Sequence, residues 1–434
     1  EFRRVLFRSD TQVELLQKHD PSELAERYAR VICKSCGAVH TMKDRVVMNS
    51  YENGRWVHDG QHIAKGDKLG EVLGPRRKSN IASYWLGGVA ATFQTWEGLL
   101  RTYFQGVQTY SRNGSEDALK ATTLTDQAMP YMPRSLARRR GPESIMNRLE
   151  FWERGTVPDG VKFIVAKVDV QSYGFVVQME GWGAGLQNWV IDRFSITTSE
   201  RQESPSRKAA IDPASYDEDW DILIKEVLSK KYPAMGNPEH LLGPVLTVCD
   251  SGGRAGVTPR AYDFWRKLHA EKLSHLFALV KGDGRVNVPR TKLTYPDYTH
   301  EKGHKRARYA RGDVPVWLLN TNLLKDEILN CCWRDEKGLG YYHFPSWYTK
   351  EWLTELTSEI RNELGQWEKP DHVKNEELDL RVYGRACIYM LGADSINWDD
   401  PPDWAQGPQP VVKEHAVEEH DESDIATLAE ALNG

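Results

Sequence analysis

The fold is decided by the stretch 161-VKFIVAKVDVQ-171. It is rich in β-branched and apolar residues and alternates, as a largely buried strand does. Two similar stretches follow after short turns, GFVVQMEGWG at 174–183 and LQNWVIDRFSI at 186–196. Such close spacing predicts an antiparallel meander of three strands. One residue in the first strand does not belong to a core. Asp169 stands among Val165, Val168 and Val170, and a buried carboxylate is costly unless it is paired or holds a metal.

Downstream, the pattern alternates between helix and strand. WDILIKEVLSKKY (220–232) predicts a helix, PVLTVCD (244–250) a buried strand, AYDFWRKLHAEKL (261–273) a helix and HLFALVKG (275–282) a strand. Strand–helix–strand units favour parallel pairing. The expected architecture is therefore α/β, with a mixed sheet in the order βββ-α-β-α-β and flanking helices, which is the order of an RNase H-like nuclease core. VPVWLLN (314–320) then leads into the helix NLLKDEILNCCW (322–333), LGYYHFP (339–345) predicts a hairpin, and KEWLTELTSEIRNEL (350–364) and NEELDLRVYGRACIYMLG (375–392) predict two amphipathic helices.

Upstream, TWEGLLRTYFQGVQTY (95–110) predicts an amphipathic helix, and Pro21-Ser22-Glu23 opens a short one. VICKSCGAVH (31–40) holds Cys33 and Cys36 at the spacing of half a structural zinc site, with no second CxxC in the chain. Segment 134–160 is basic, with Arg134, Arg138, Arg139 and Arg140, and reads as a linker. The expected division is 10–133, linker 134–160, nuclease-like core 161–400, and a Pro-rich then acidic tail 401–434. The first nine residues, EFRRVLFRS, resemble one translation frame of a sequencing-library adapter, so the coding sequence is expected to have been cut at about Asp10, with what lay upstream lost.

Composition narrows the function. The 434 residues carry a net charge of −5, which argues against blanket nucleic-acid binding and leaves only a local patch. No apolar run approaches the ~18 residues of a membrane span. The six cysteines show no disulfide-framework spacing, as in a reducing compartment.

Three acids mark ends or interiors of apolar elements. Asp169 is one; Asp250 closes PVLTVCD before Ser251-Gly252-Gly253; Asp379 lies in NEELDL, with Glu376 one turn earlier on the same helix face. Carboxylates arriving from three separate elements of one core point to a shared cation site. Two Mg²⁺ ions about 4 Å apart activate water and stabilise a leaving 3′ oxygen in phosphodiester hydrolysis. Whether Asp379 or Glu376 is the third ligand stays open at this level.

The loop at 281–311 holds nine Lys/Arg against three Asp/Glu, with Tyr295, Tyr298 and Tyr309 interleaved. This is the local patch that a DNA backbone requires, and Lys302, Lys305, Arg306, Arg308 and Arg311 are its core. Lys281, at a strand end, is the member expected nearest the scissile phosphate. HEKGH (300–304) in the same loop matches a zinc-protease signature. That signature works only on a helix, and Pro296 and Gly303 argue against one. DSGGRAG (250–256) is a weak phosphate-loop signal, and the absence of GxxxxGK[ST] excludes a self-contained P-loop ATPase.

KVDVQ with GWG, CDSGG with a KG strand, HFP, and NEELDLRVYGRA stand in the order seen in lambda-type phage terminase large subunits. The chain resembles their C-terminal nuclease half over roughly residues 150–400. The resemblance implies a nuclease that cuts concatemeric viral double-stranded DNA during genome packaging with Mg²⁺ or Mn²⁺, held here by Asp169, Asp250 and Asp379. It implies that 10–133, with SYWLGGVAATFQTWEGLL, is the remnant of a P-loop ATPase domain whose ATP site is absent. In relatives a further CxxC commonly precedes this one and pairs with it around zinc, so Zn²⁺ and ATP belong to the full-length protein. The implied partners are a small terminase subunit and a portal ring, which the acidic tail would dock on, with no membrane. The implied setting is the host bacterial cytoplasm, with transient residence at the procapsid portal. Two other readings compete. Another RNase H-like enzyme, a resolvase or transposase, would prefer branched or transposon-end DNA. In a non-catalytic DNA-binding or assembly module the three acids would not converge.

Overall fold

The computed structural model describes residues 16, 18–32, 37–64, 70–78, 80–81, 84, 86–134, 141–204, 206–285, 288–296, 312–362 and 366–410. The acidic tail beyond residue 410 lies outside them. At the centre is a sheet of eight strands: β1 Val161–Gln171, β2 Gly174–Gly183, β3 Asn188–Ile196, β4 Pro244–Asp250, β5 Phe277–Asp283, β6 Thr291–Thr294, β7 Val316–Asn320 and β8 Tyr342–His343. Their order is β6-β7-β5-β4-β1-β2-β3-β8. β1, β2 and β3 pair antiparallel as the meander predicted, and β1, β4, β5 and β7 run parallel.

The strand alternation divides the core into two halves. Phe163 and Val165 of β1, with Leu246 and Val248 of β4, belong to one apolar cluster. Ile164, Ala166 and Val168, with Cys249, belong to the other. Period-two geometry places Lys167 and Asp169 of β1, and Asp250 of β4, on the same side as Phe163 and Val248.

The helices used below are α1 Pro21–Tyr28, α2 Trp96–Asn113, α3 Val257–Ala270, α4 Thr321–Cys332, α5 Lys350–Leu356 and α6 Glu376–Met390. No described helix is long and apolar enough to cross a membrane. α4, α5 and α6 contribute Leu324, Leu353, Leu378 and Ala386 to the first cluster. α3 contributes Ala261 and Phe264 to the second. α2 begins at Thr95, whose hydroxyl accepts from the Gly98 amide at 2.9 Å, and ends at Gly114 with φ +77°, a left-handed cap that only glycine adopts freely.

Three segments depart from expectation. LGYYHFP is no hairpin: only Tyr342–His343 forms a strand, and it runs parallel to β3, opposite Asn188 and Trp189. Tyr342 and Phe344 are buried in the core, which holds the segment out along the sheet edge. KEWLTELTSEIRNEL stops being helical at Leu356. The Thr357 and Ser358 hydroxyls bond back to the Leu353 and Glu355 carbonyls, and such local bonds compete with helix continuation. Ile360–Arg361 then pairs with Trp367–Glu368. The 220–232 helix is shortened to wide turns over Ile224–Leu228, because Tyr232 is drawn into a strand opposite Leu242.

α2 is held to the sheet domain through the backbone carbonyls of its C-terminal end. The Arg334 guanidinium donates to the Tyr110 and Ser111 carbonyls at 2.8 and 2.7 Å, and Asn330 donates to the Gly114 carbonyl at 3.1 Å. Arg385, on α6, donates to the Asn113 carbonyl. Arg334 and Arg385 thus satisfy the Ser111 and Asn113 carbonyls that the helix C-terminus leaves unpaired, while the Tyr110 carbonyl is shared with the Gly114 amide.

Candidate active site

Two groups of charged side chains lie between β1–β4 and α6. The deeper group is matched. Lys167 pairs with Glu180 at 3.0 Å, and Arg381 bridges Glu180 at 2.6 Å and Glu377 at 2.7 Å. Arg193 joins Glu377 at 2.7 Å and Glu355 at 3.2 Å. Gln178 donates to Glu377 and to the Tyr348 hydroxyl. Burial pushes the Lys167 ammonium down to about 8 despite the pull of Glu180. α6 can approach this closely only because residue 384 is glycine. A Cβ there would lie 2.0 Å from a Glu180 carboxylate oxygen and 2.9 Å from the Lys167 chain.

The second group begins two residues further along β1 and is acidic. Asp169 is buried, with 8% of its surface exposed. Burial foremost, then the negative charges of Asp250, Asp379 and Glu376, push its carboxyl up to about 7, against a hydrogen bond from Gln171. Asp250 is raised by burial, opposed by the Gly252 amide at 3.0 Å and by the Lys281 charge. The strand end that carries it is tied to β5 by Ser251, whose hydroxyl donates to the Val280 carbonyl at 2.9 Å. Asp379, in the first turn of α6, is raised to about 6, mainly by burial, with Lys325 lowering and Glu359 and Asp250 raising it. Tyr383, one turn along α6, reports the same field. Burial, followed by the charges of Asp250, Asp169 and Asp379, pushes its hydroxyl well up.

Asp169, Asp250, Asp379 and Glu376 are thus within electrostatic reach of one another. Among the described residues, no group of three or more His, Cys, Asp or Glu is drawn together as a ready-made metal-ligand set. Each aspartate keeps a local partner instead: Gln171 for Asp169, the Gly252 amide for Asp250, Asn375 and Lys325 for Asp379. The donor set itself, hard carboxylate oxygens whose protonation is raised mainly by burial, suits Mg²⁺ or Mn²⁺. Lys281 sits on β5, exposed, with its charge acting on Asp250.

Lys302, Lys305, Arg306, Arg308, Arg311 and HEKGH lie outside the described residues, as do Cys33 and Cys36. Sequence reasoning missed Lys325, which reaches Asp379 from another helix, Asn375, which caps α6 and donates to Asp379, and Glu359, which shares both with it. It also missed Lys167, Glu180, Glu377 and Arg381 beneath the acids. Lys167 and Glu180 carried a signal, as charged residues inside the first two apolar strands.

Comparison with known proteins bears on this geometry. Residues 81–398 match the family described as terminase large subunit gpA, endonuclease domain. The chain is also similar to the terminase large subunit of Escherichia phage lambda, 23% identical over 352 residues, covering 78% of this chain and 47% of that protein. It therefore spans about half the length of the curated relative it matches. No solved structure matches.

Proposed function

Because the chain belongs to the terminase large subunit gpA endonuclease family, we propose that it is a metal-dependent endonuclease that cuts concatemeric double-stranded viral DNA during genome packaging. One observation carries the reading: Asp169, Asp250 and Asp379 arrive from two adjacent strands and one helix in one largely buried place, where burial foremost raises all three carboxyls, the charges of Asp250 and Asp379 adding to Asp169 and that of Asp250 to Asp379. The sheet order supports it. The sequence third-second-first-fourth-fifth across β3-β2-β1-β4-β5 is the arrangement expected of an RNase H-like core.

Asp169, Asp250 and Asp379 would hold Mg²⁺ or Mn²⁺, with Glu376 as the further carboxylate. When bound, two such ions supply an activated water and stabilise the leaving 3′ oxygen. The chain's own groups do the rest. Asp169, unprotonated above about pH 7, offers its charge from the floor of the site. Asp250 is fixed by the Gly252 amide, and Lys281 brings a positive charge for the scissile phosphate. The basic loop around Lys302 to Arg311 would grip the duplex backbone.

The segment before residue 134 would be the end of a packaging ATPase, with Cys33 and Cys36 half of a zinc site completed upstream, and ATP bound only by the longer protein. A small terminase subunit and, through the acidic tail, a portal ring would be its partners in the host cytoplasm. The test is plasmid nicking with Mg²⁺ or Mn²⁺. Wild type should nick and Asp169→Ala should lose about a hundred- to a thousandfold, the scale of removing an essential charge-stabilising group. Undiminished nicking by the variant, or none by wild type with either metal, refutes the assignment.

A further inference from the structure

Asp379 differs from the other two aspartates in having a buried cation beside it. Lys325 projects from α4, 7% exposed, and its ammonium lies 3.4 Å from an Asp379 oxygen and 2.6 Å from a Glu359 oxygen. Asn375, at the start of α6, ties the same two acids together, donating to Glu359 at 2.8 Å and to Asp379 at 2.9 Å. Glu359 is 4% exposed, and its other carboxylate oxygen is buried without a hydrogen-bond partner. One ammonium is therefore shared unequally between two carboxylates, and the nearer one has unused accepting capacity.

We propose that Lys325 is a resident counter-ion of Asp379, which it yields to Glu359 when a divalent cation takes up the Asp379 carboxylate. The inference rests on the metal-dependent reading above. An ammonium and a divalent cation on one carboxylate repel each other, and in a half-buried site that repulsion is weakly screened. Without a place to retire to, Lys325 would hold the cation off. Glu359, at the shorter distance and with a free oxygen, is that place. Lys325 and Glu359 are positioning residues here, setting how tightly the third carboxylate takes its cation.

The experiment uses the full chain and Mn²⁺ alone at pH 8, reading free Mn²⁺ by its paramagnetic resonance signal, with thermal melts to confirm folding. Lys325→Gln removes the competing charge and should bind Mn²⁺ on the order of tenfold more tightly. Glu359→Gln leaves the ammonium to Asp379 alone and should bind on the order of tenfold more weakly. A purely structural role for the pair would shift both variants in the same direction, and that result overturns the proposal, as does wild-type affinity in either one. Should one variant fail to fold, the sign of the other decides. Mn²⁺ binding by wild type that is lost in Asp169→Asn keeps the metal reading intact whatever the pair does. No binding by wild type removes both.

Discussion

Two charged clusters share β1 and α6 and solve the problem of burial in opposite ways. In the deeper one, Lys167, Arg193 and Arg381 face Glu180, Glu377 and Glu355, three cations against three anions. In the shallower one, Asp379 and Asp250 have the partial attention of Lys325 and Lys281, Glu376 meets the exposed Lys374 at 3.8 Å, and Asp169 faces further acids. Buried charge is tolerated when it is paired and hydrogen-bonded, and it otherwise shifts its protonation. The matched cluster therefore reads as a mount, and the unmatched one as a receptor for positive charge. The two are joined rigidly, since Asp169 follows Lys167 on one strand face and Asp379 lies between Glu377 and Arg381 on one helix.

The largest way to break this contrast is within the mount. Arg381→Met strips Glu180 and Glu377 of their common partner and should cost roughly 3–5 kcal/mol of stability by chemical denaturation. If that variant melts like wild type, the cluster is not a mount. Gly384→Ala is the next test. Its methyl would collide with the Glu180 carboxylate, with an expected cost of about 1–3 kcal/mol and a loss of nicking as α6 is pushed off the sheet. Unchanged stability and activity would mean that the helix seats elsewhere.

The smallest effect concerns the receptor and is a matter of sign. Asp169 and Asp379 titrate at about 7 and about 6 in the folded chain, above the ordinary carboxylate value near ~4. Folded-state protonation is thus favoured, so their contribution to stability is full below pH ~4 and is lost as pH rises through 6 to 7. The metal-free protein should lose melting temperature over that window, and Asp169→Asn should flatten part of the loss. Added Mn²⁺ should raise the melting temperature more at pH 8 than at pH 5.5, because at the lower pH protons hold the site. A larger gain at pH 5.5 would contradict an unmatched acid cluster.

These contrasts were unevenly legible in the sequence. The apolar alternation of 161–171 and the spacing of the two following strands foretold the meander, because strand burial has a short local period. Asp169 and Asp250 stood out for the same reason, as charges at apolar positions. Lys325 and Glu359 did not, since each looks like the solvated face of a helix. Their pairing spans 34 residues and depends on the chain leaving its helix at Leu356. The mistaken hairpin at 339–345 has a related cause: its aromatic side chains read as a turn-linked pair but are spent on the sheet edge and core. Local patterns announce elements, while the counter-ions of a site are supplied by contacts between distant ones.

The docking of α2 bears on how the chain can be divided. A cut within 134–160 would leave Arg334, Asn330 and Arg385 without the carbonyls that now occupy them, and Arg385 belongs to the helix that bears Asp379. The smallest unit that keeps the acids where they are therefore reaches back to include Thr95 to Gly114. Whatever pulls on that upstream helix pulls, through one guanidinium, on the far end of the helix that presents the third carboxylate.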